Sequence, residues 1–110
     1  MQVVNRKFYP AGSVIFKEGD DAHNAYMIQS GEVQLSKGSG PTAINIARIG
    51  PQALFGEMAL IDGKPRSAGA TAVTDTTVIT ISKGRFETVL EAADPFLRAL
   101  LKVLVSRLRG

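Results

Sequence analysis

Residues 55–68 read FGEMALIDGKPRSA. One carboxylate, Glu57, follows a Phe-Gly step, a short run of small and apolar residues ends at Asp62-Gly63, and Pro65 precedes one guanidinium, Arg66, with Ser67 and Ala68 behind it. The two charges lie too far apart to pair along one helix face, where partners stand about one turn apart. Glu57, Met58, Ala59 and Leu60 favour helix, and Asp62-Gly63 stops it, so a very short helix is predicted over Gly56 to Ile61. Such a helix has free N–H groups in its first turn, and Gly56 permits close approach of a backbone or ligand. A terminus of this kind attracts anions, phosphate above all. Arg66 brings the fork geometry that suits a phosphate, and Ser67 adds a hydroxyl donor. Glu57 would repel a phosphate that it faced, so it is expected to face a neutral donor such as a sugar hydroxyl. These demands describe a phosphate close to a ribose, and the charge pattern alone admits either a sugar phosphate or a nucleotide.

On either side of this stretch the chain reads as short strands: Val3 to Phe8, Ser13 to Phe16, Tyr26 to Gln29, Glu32 to Ser36, Ala43 to Arg48, Gly69 to Val73 and Thr77 to Ile81. Their separators, PAG, EGDD, SG, KGSGPT and GPQ, carry the residues that turns require. Val33 and Leu35 alternate with Glu32, Gln34 and Ser36, and Ile44 and Ile46 flank Asn45. Period two with half-buried faces implies an antiparallel sheet closed on itself or doubled into a roll. The period then changes. Phe86, Val89 and Leu90 sit at helical spacing within Arg85 to Ala92, and Asp94-Pro95 supplies an N-cap and a first-turn proline for a last helix running to Arg109. Along that helix Leu97, Leu100, Leu101, Leu104 and Leu108 form one stripe, opposed by Arg98, Lys102, Ser106 and Arg109. The predicted fold class is mainly β with C-terminal helices: an antiparallel β-roll, jelly-roll-like, with a short phosphate-binding helix and two terminal helices.

At 110 residues the chain is expected to be a single domain over 1–110. Its hydrophobic share of 45%, charged share of 21% and mean hydropathy of +0.07 describe a folded globular chain. The absence of cysteine removes disulfides and thiolate chemistry. No leader-like segment opens the sequence and no apolar run is long enough to span a membrane, so the expected compartment is the cytoplasm, with no membrane partner. The net charge of +3 is spread evenly: five bases and four acids to Gly50, eight bases and six acids from Pro51 onward. Without a dense basic run, nucleic-acid binding by this chain alone is not expected.

FGEMAL…PRSA resembles the phosphate-binding cassette of the cyclic nucleotide-binding domain family. The likeness extends to PAGSVIFKEGDDAHNAYMIQSGEVQLS, with Gly12, Gly19 and Gly31 at turns, and to DTTVITISKGRF after the cassette. What the resemblance implies is a non-enzymatic regulatory domain with cyclic nucleotide as ligand and no cofactor or metal. The ligand-binding residues would be Phe55, Gly56, Glu57, Met58, Ala59, Arg66, Ser67 and Ala68. The N–H groups near Gly56 to Ala59 and the Arg66 side chain would take the cyclic phosphate, with Ser67 and Ala68 adding contacts, and Glu57 would accept from the ribose 2′-hydroxyl. Ser67 is typical of bacterial cAMP binders, whereas a Thr there favours cGMP, so cAMP is expected with cGMP second. The last helix would act as a ligand-responsive lid, with Leu101, Leu104 or Leu108 approaching the base, and as a possible homodimer contact. An effector domain or protein is the implied partner. The helix that precedes the first strand in the family is expected to be absent, because Val3 already reads as strand.

Gly69 and Ala70 stand where the family usually has Thr or Ser and then Val. Each lost methyl is worth about 0.8 kcal/mol at most, which predicts weaker affinity. The alternative is a β-roll interaction module that no longer binds nucleotide. A metal-dependent cupin-type enzyme shares the roll but needs several histidines, and this chain has one, His23, in a polar turn. The same scarcity argues against a Ser-His-acid triad.

Overall fold

The computed structural model describes residues 5–38 and 40–109. In chain order these form β1 (Asn5–Tyr9), β2 (Val14–Phe16), β3 (Asn24–Ser30), β4 (Val33–Lys37), a 3-10 turn (Gly40–Thr42), β5 (Ile44–Ile49), β6 (Leu54–Phe55), α1 (Met58–Asp62), β7 (Gly69–Ala72), β8 (Thr76–Ser82), α2 (Lys83–Glu91) and α3 (Pro95–Arg109). The strands make two four-stranded antiparallel sheets, ordered β1-β8-β3-β6 and β2-β7-β4-β5. The expected mainly β fold with terminal helices is the one observed. Val3 and Val4, the expected start of the first strand, lie outside the described residues.

The alternation seen in the sequence sets which face each strand buries. Tyr26 and Ile28 from β3, Val33 from β4, Ala70 and Ala72 from β7 and Val78 from β8 meet between the sheets, joined by Tyr9 and Phe55. Ile28, Val33 and Val78 are almost wholly buried, each worth about 1.5–3 kcal/mol relative to exposure. Thr76 is one of two buried polar residues among those described, with Arg66, and its hydroxyl donates to Thr74 O at 2.8 Å. Gly31 sits against it with φ 95°, and a Cβ there would lie 2.5 Å from Asp75 O. Only glycine fits this β3–β4 turn.

Several elements depart from expectation, β3 among them, which starts at Asn24 and not Tyr26. Strand β6 is new: Tyr26 pairs with Phe55 and Met27 with Leu54. A two-residue strand has no period to detect, and its pairing is decided by β3 rather than by its own composition. Helix α2 starts two residues before the expected Arg85, because the Ser82 hydroxyl accepts from the Arg85 N–H at 3.2 Å and caps it. At α3 the cap is the expected one: the Phe96 N–H donates to Asp94 Oδ1 at 2.8 Å, with Pro95 at the first helical position.

The orientation of α3 corrects the expected leucine stripe. Helix α3 packs on α1, and the residues turned inward are Arg98, Leu101, Val105 and Arg109. Leu97, Leu100 and Leu104 are 48%, 43% and 43% exposed, and Leu108 is 74% exposed. The stripe is therefore rotated by about one residue from the face that meets the body. Periodicity reveals an apolar face but not which neighbour covers it. The neighbour, α1, is one short turn ending in the polar Asp62, so only the inward arc of α3 finds partners.

Candidate ligand-binding site

The loop after α1 is fixed by backbone pairing before any side chain acts. The Arg66 N–H donates to Asp20 O and the Gly19 N–H donates to Arg66 O, both at 2.8 Å. This double clamp to the β2–β3 loop aims the Arg66 side chain inward, where it is only 4% exposed. Its Nη1 donates to Gly56 O at 2.5 Å and its Nη2 to Asn24 O at 2.7 Å. The guanidinium carbon stands 4.0 Å from the Phe16 ring centroid and 5.8 Å from that of Tyr26. Beneath it, Tyr26 stacks on Phe55 at 5.0 Å between centroids.

A buried guanidinium is costly unless compensated. Here both hydrogen-bond acceptors are neutral carbonyls, and the buried Nε has no partner. Among the described residues no ion pair joins Arg66 to any carboxylate. Burial is the main influence on its acidity and pulls it below the usual arginine range, while Tyr26, Asp20 and Glu57 act in the opposite sense. The group remains a cation at neutral pH, held by carbonyl dipoles and aromatic faces and with an unspent N–H.

Among the described residues Glu57 does not pair with Arg66. Glu57 has helical φ and ψ of −79° and −29°, caps α1 without a side-chain hydrogen bond, and is half-buried. Helix α1 thus begins at Met58, two residues after the expected Gly56. Leu60 and Ile61 donate to Glu57 O, so the amides of Glu57, Met58 and Ala59 precede the first intrahelical bonds. Gly56, at φ 78°, is required by two constraints, since a Cβ there would also lie 2.8 Å from Arg66 Nη1.

One cavity of about 130 Å³ brings these groups together, and all eight residues expected from the sequence, Phe55, Gly56, Glu57, Met58, Ala59, Arg66, Ser67 and Ala68, line it. Four further residues line it that sequence reasoning missed: Phe16, Leu35, Leu54 and Arg109. Phe16 and Leu35 belong to recognised strands, and alternation placed them on a face without saying what that face meets. Of α3, Arg109 reaches the cavity, whereas Leu101, Leu104 and Leu108 do not line it. Among the described residues no cluster of three or more His, Cys, Asp or Glu could hold a metal. No described helix is long and apolar enough to cross a membrane.

The family model for the cyclic nucleotide-binding domain matches residues 6–93. The chain belongs to that family. Within this cyclic nucleotide-binding domain family it is 35% identical over 105 residues to the cyclic AMP receptor protein of Thermus thermophilus, covering 94% of this chain and 49% of that one. It is 34% identical over 90 residues to a cAMP-dependent protein kinase regulatory subunit of Colletotrichum orbiculare, covering 82% of this chain and 22% of that one. Among solved structures, the cAMP-bound form of the EAL enzyme Bd1971 superposes with a TM-score of 0.91 at 32% identity, over 96% of this chain and 28% of that one. The Thermus thermophilus catabolite activator protein gives a TM-score of 0.78 at 36% identity, over 96% and 50%. The chain therefore spans half or less of the length of these relatives.

Proposed function

We propose that this cyclic nucleotide-binding domain is a non-enzymatic regulatory unit whose ligand is cAMP, with cGMP second. One observation carries the reading. Arg66 is a buried cation with neutral partners only and a free Nε, on a cavity that also holds Glu57 and Ser67. A cyclic phosphate is a monoanion, which supplies the missing charge without adding a second one to be buried. Its oxygens accept from Arg66, from the Ser67 hydroxyl and from the amides around Gly56 to Ala59 and Ala68, while Phe55 and Met58 supply apolar wall. The ribose 2′-hydroxyl donates to Glu57, which keeps the carboxylate facing a neutral group. The preference for cAMP rests on Ser67 and on the names of the relatives, two of which are a cyclic AMP receptor and a cAMP-dependent kinase subunit. Bd1971 also has a cGMP-bound structure, superposing at a TM-score of 0.90, which keeps cGMP as the second ligand.

In this reading α3 is the ligand-responsive element and the single domain works in the cytoplasm on an effector domain or protein. The cavity supports the first part. At about 130 Å³ it is smaller than the ~300–1,000 Å³ of pockets that take a whole small ligand, and Arg109 of α3 lines it, so movement of the end of α3 adds room for a mononucleotide.

Isothermal titration with cAMP and cGMP tests the reading. Saturable binding of cAMP, tighter than cGMP, is expected. Arg66→Leu should cost about 2–5 kcal/mol, the range for truncating one member of a buried charge pair, or more than about tenfold in affinity. Wild-type affinity in Arg66→Leu would refute the assignment, and no heat with either nucleotide at about millimolar concentration would favour a β-roll interaction module.

A further inference from the structure

The last turn of α3 is tied to the loop that carries Arg66. Arg109 Nε forms an ion pair with Asp62 Oδ2, its Nη2 donates to Asp62 Oδ1 at 3.1 Å, and its Nη1 donates to Pro65 O at 3.1 Å. The two side chains are 14% and 15% exposed, so solvent screens them far less than a surface pair. Asp62 is the last residue of α1 and Pro65 immediately precedes Arg66. One guanidinium therefore spans the loop 62–65 from its outer side, while Gly19 and Asp20 hold the Arg66 backbone from the other. Arg109 also lines the cavity. Its position accordingly bears on how much room the site has.

The cavity of about 130 Å³ has Arg109 on its lining, so holding that end keeps the site narrow and releasing it widens the site. Resting on the cyclic nucleotide reading, we propose that the Asp62–Arg109 pair is an autoinhibitory latch: it holds the last turn of α3 against the cassette loop, and nucleotide entry requires it to open. The fraction of molecules with the latch open then scales the apparent affinity. Weakening the latch strengthens binding. This is the opposite of what loss of a structural brace does, since a loosened loop would misplace Arg66 and weaken binding.

The test is Asp62→Asn. The amide keeps the size of the side chain and an acceptor for the Lys64 N–H, which donates to Asp62 Oδ1 at 2.9 Å, but removes the charge that Arg109 pairs with. Titration of the wild-type chain and Asp62→Asn with cAMP should show a dissociation constant about three- to tenfold lower in the variant. Arg66→Leu should weaken binding in both backgrounds. Amides in the last two turns of α3 should exchange hydrogen faster in Asp62→Asn, with exchange in β3 and β8 unchanged. Unchanged or weaker cAMP affinity in Asp62→Asn, with β3 and β8 protection intact, overturns the latch. If neither chain binds cAMP or cGMP, the nucleotide reading is what fails, and α3 exchange decides the latch by itself: equal rates in the two chains overturn it.

Discussion

The Arg66 guanidinium carbon stands 4.0 Å from the centroid of the Phe16 ring. A desolvated contact of this kind contributes about 2 kcal/mol, beside the carbonyls of Gly56 and Asn24 that accept from the fork. Phe16→Leu keeps the strand apolar but removes the π face. The expected outcome is a drop in nucleotide affinity of roughly tenfold with a smaller loss of stability, read by titration calorimetry and a thermal melt. Equal affinity in the variant would show that the carbonyls of Gly56 and Asn24 position Arg66 unaided.

Gly56 makes room for the same side chain. Any other residue at φ 78° costs about 1–2 kcal/mol, and the added Cβ would press on Arg66 Nη1 at 2.8 Å, Tyr26 at 3.2 Å and Phe16 at 3.3 Å. The rings cannot retreat, because they are packed against Phe55, so the guanidinium must give. Gly56→Ala is expected to lower the melting temperature and to weaken nucleotide binding by more than about tenfold. A variant that melts earlier but binds normally would place the strain in the backbone alone.

Glu57→Gln separates charge from hydrogen bonding. An amide oxygen still accepts from a ribose hydroxyl, so the predicted loss is about 0.5–1.5 kcal/mol, that of a weakened neutral hydrogen bond. This is well below the Arg66→Leu effect. Removing the carboxylate also removes one of the influences that favour the charged form of Arg66. Affinity lost to the same extent in both variants, by calorimetry, would contradict the division of labour between phosphate and ribose.

Much of this architecture is readable along the chain, because strands and turns are local: alternation marks Val33 and Leu35, and Gly12, Gly19 and Gly31 adopt the positive φ that turns require. The cassette is readable for the same reason, since Glu57 and Arg66 flank one short segment. What is not readable depends on distant partners. Leu54–Phe55 becomes a strand only through Tyr26 and Met27. Arg109 meets Asp62 across 47 positions of sequence, and no pattern in α3 distinguishes it from the other bases on its polar side. The inward face of α3 follows from that contact, which is why the leucines point elsewhere.

Tyr26 predicts an alkaline limb of instability. Burial first, and the proximity of Tyr9 second, push its phenol above the ordinary value of 10.0. The folded chain therefore keeps a proton that the unfolded chain releases, so this contribution is complete below pH ~10 and is lost as pH rises through the higher folded value. Arg66, lowered chiefly by burial, has the opposite sign. Urea midpoints measured from about pH 8 to 11 should fall above pH ~10 and should fall less in Tyr26→Phe. An identical decline in both chains would assign the limb to other groups.

The exposed side of α3 predicts self-association. Leu97, Leu100, Leu104 and Leu108 are joined by Phe96 at 65% and Val103 at 46% exposure, on a helix whose other side packs on α1. A contiguous apolar face on a regular helix suits an identical face on a second copy, where a two-fold axis matches leucine with leucine. A stable dimer needs about 1,200–2,000 Å² of total buried surface, so a single helix pair gives a weak, concentration-dependent one. Sedimentation equilibrium should show reversible dimers at about micromolar to millimolar chain, and Leu104→Glu, which places a charge in the middle of the seam, should raise the dissociation constant by more than about tenfold. The latch gives this a further consequence. Because Arg109 ends the same helix, a dimer that holds α3 in one position biases the Asp62–Arg109 contact, so cAMP should shift the dimer constant in wild type by more than it does in Asp62→Asn. Equal shifts in the two chains would mean that dimerisation and ligand entry are uncoupled.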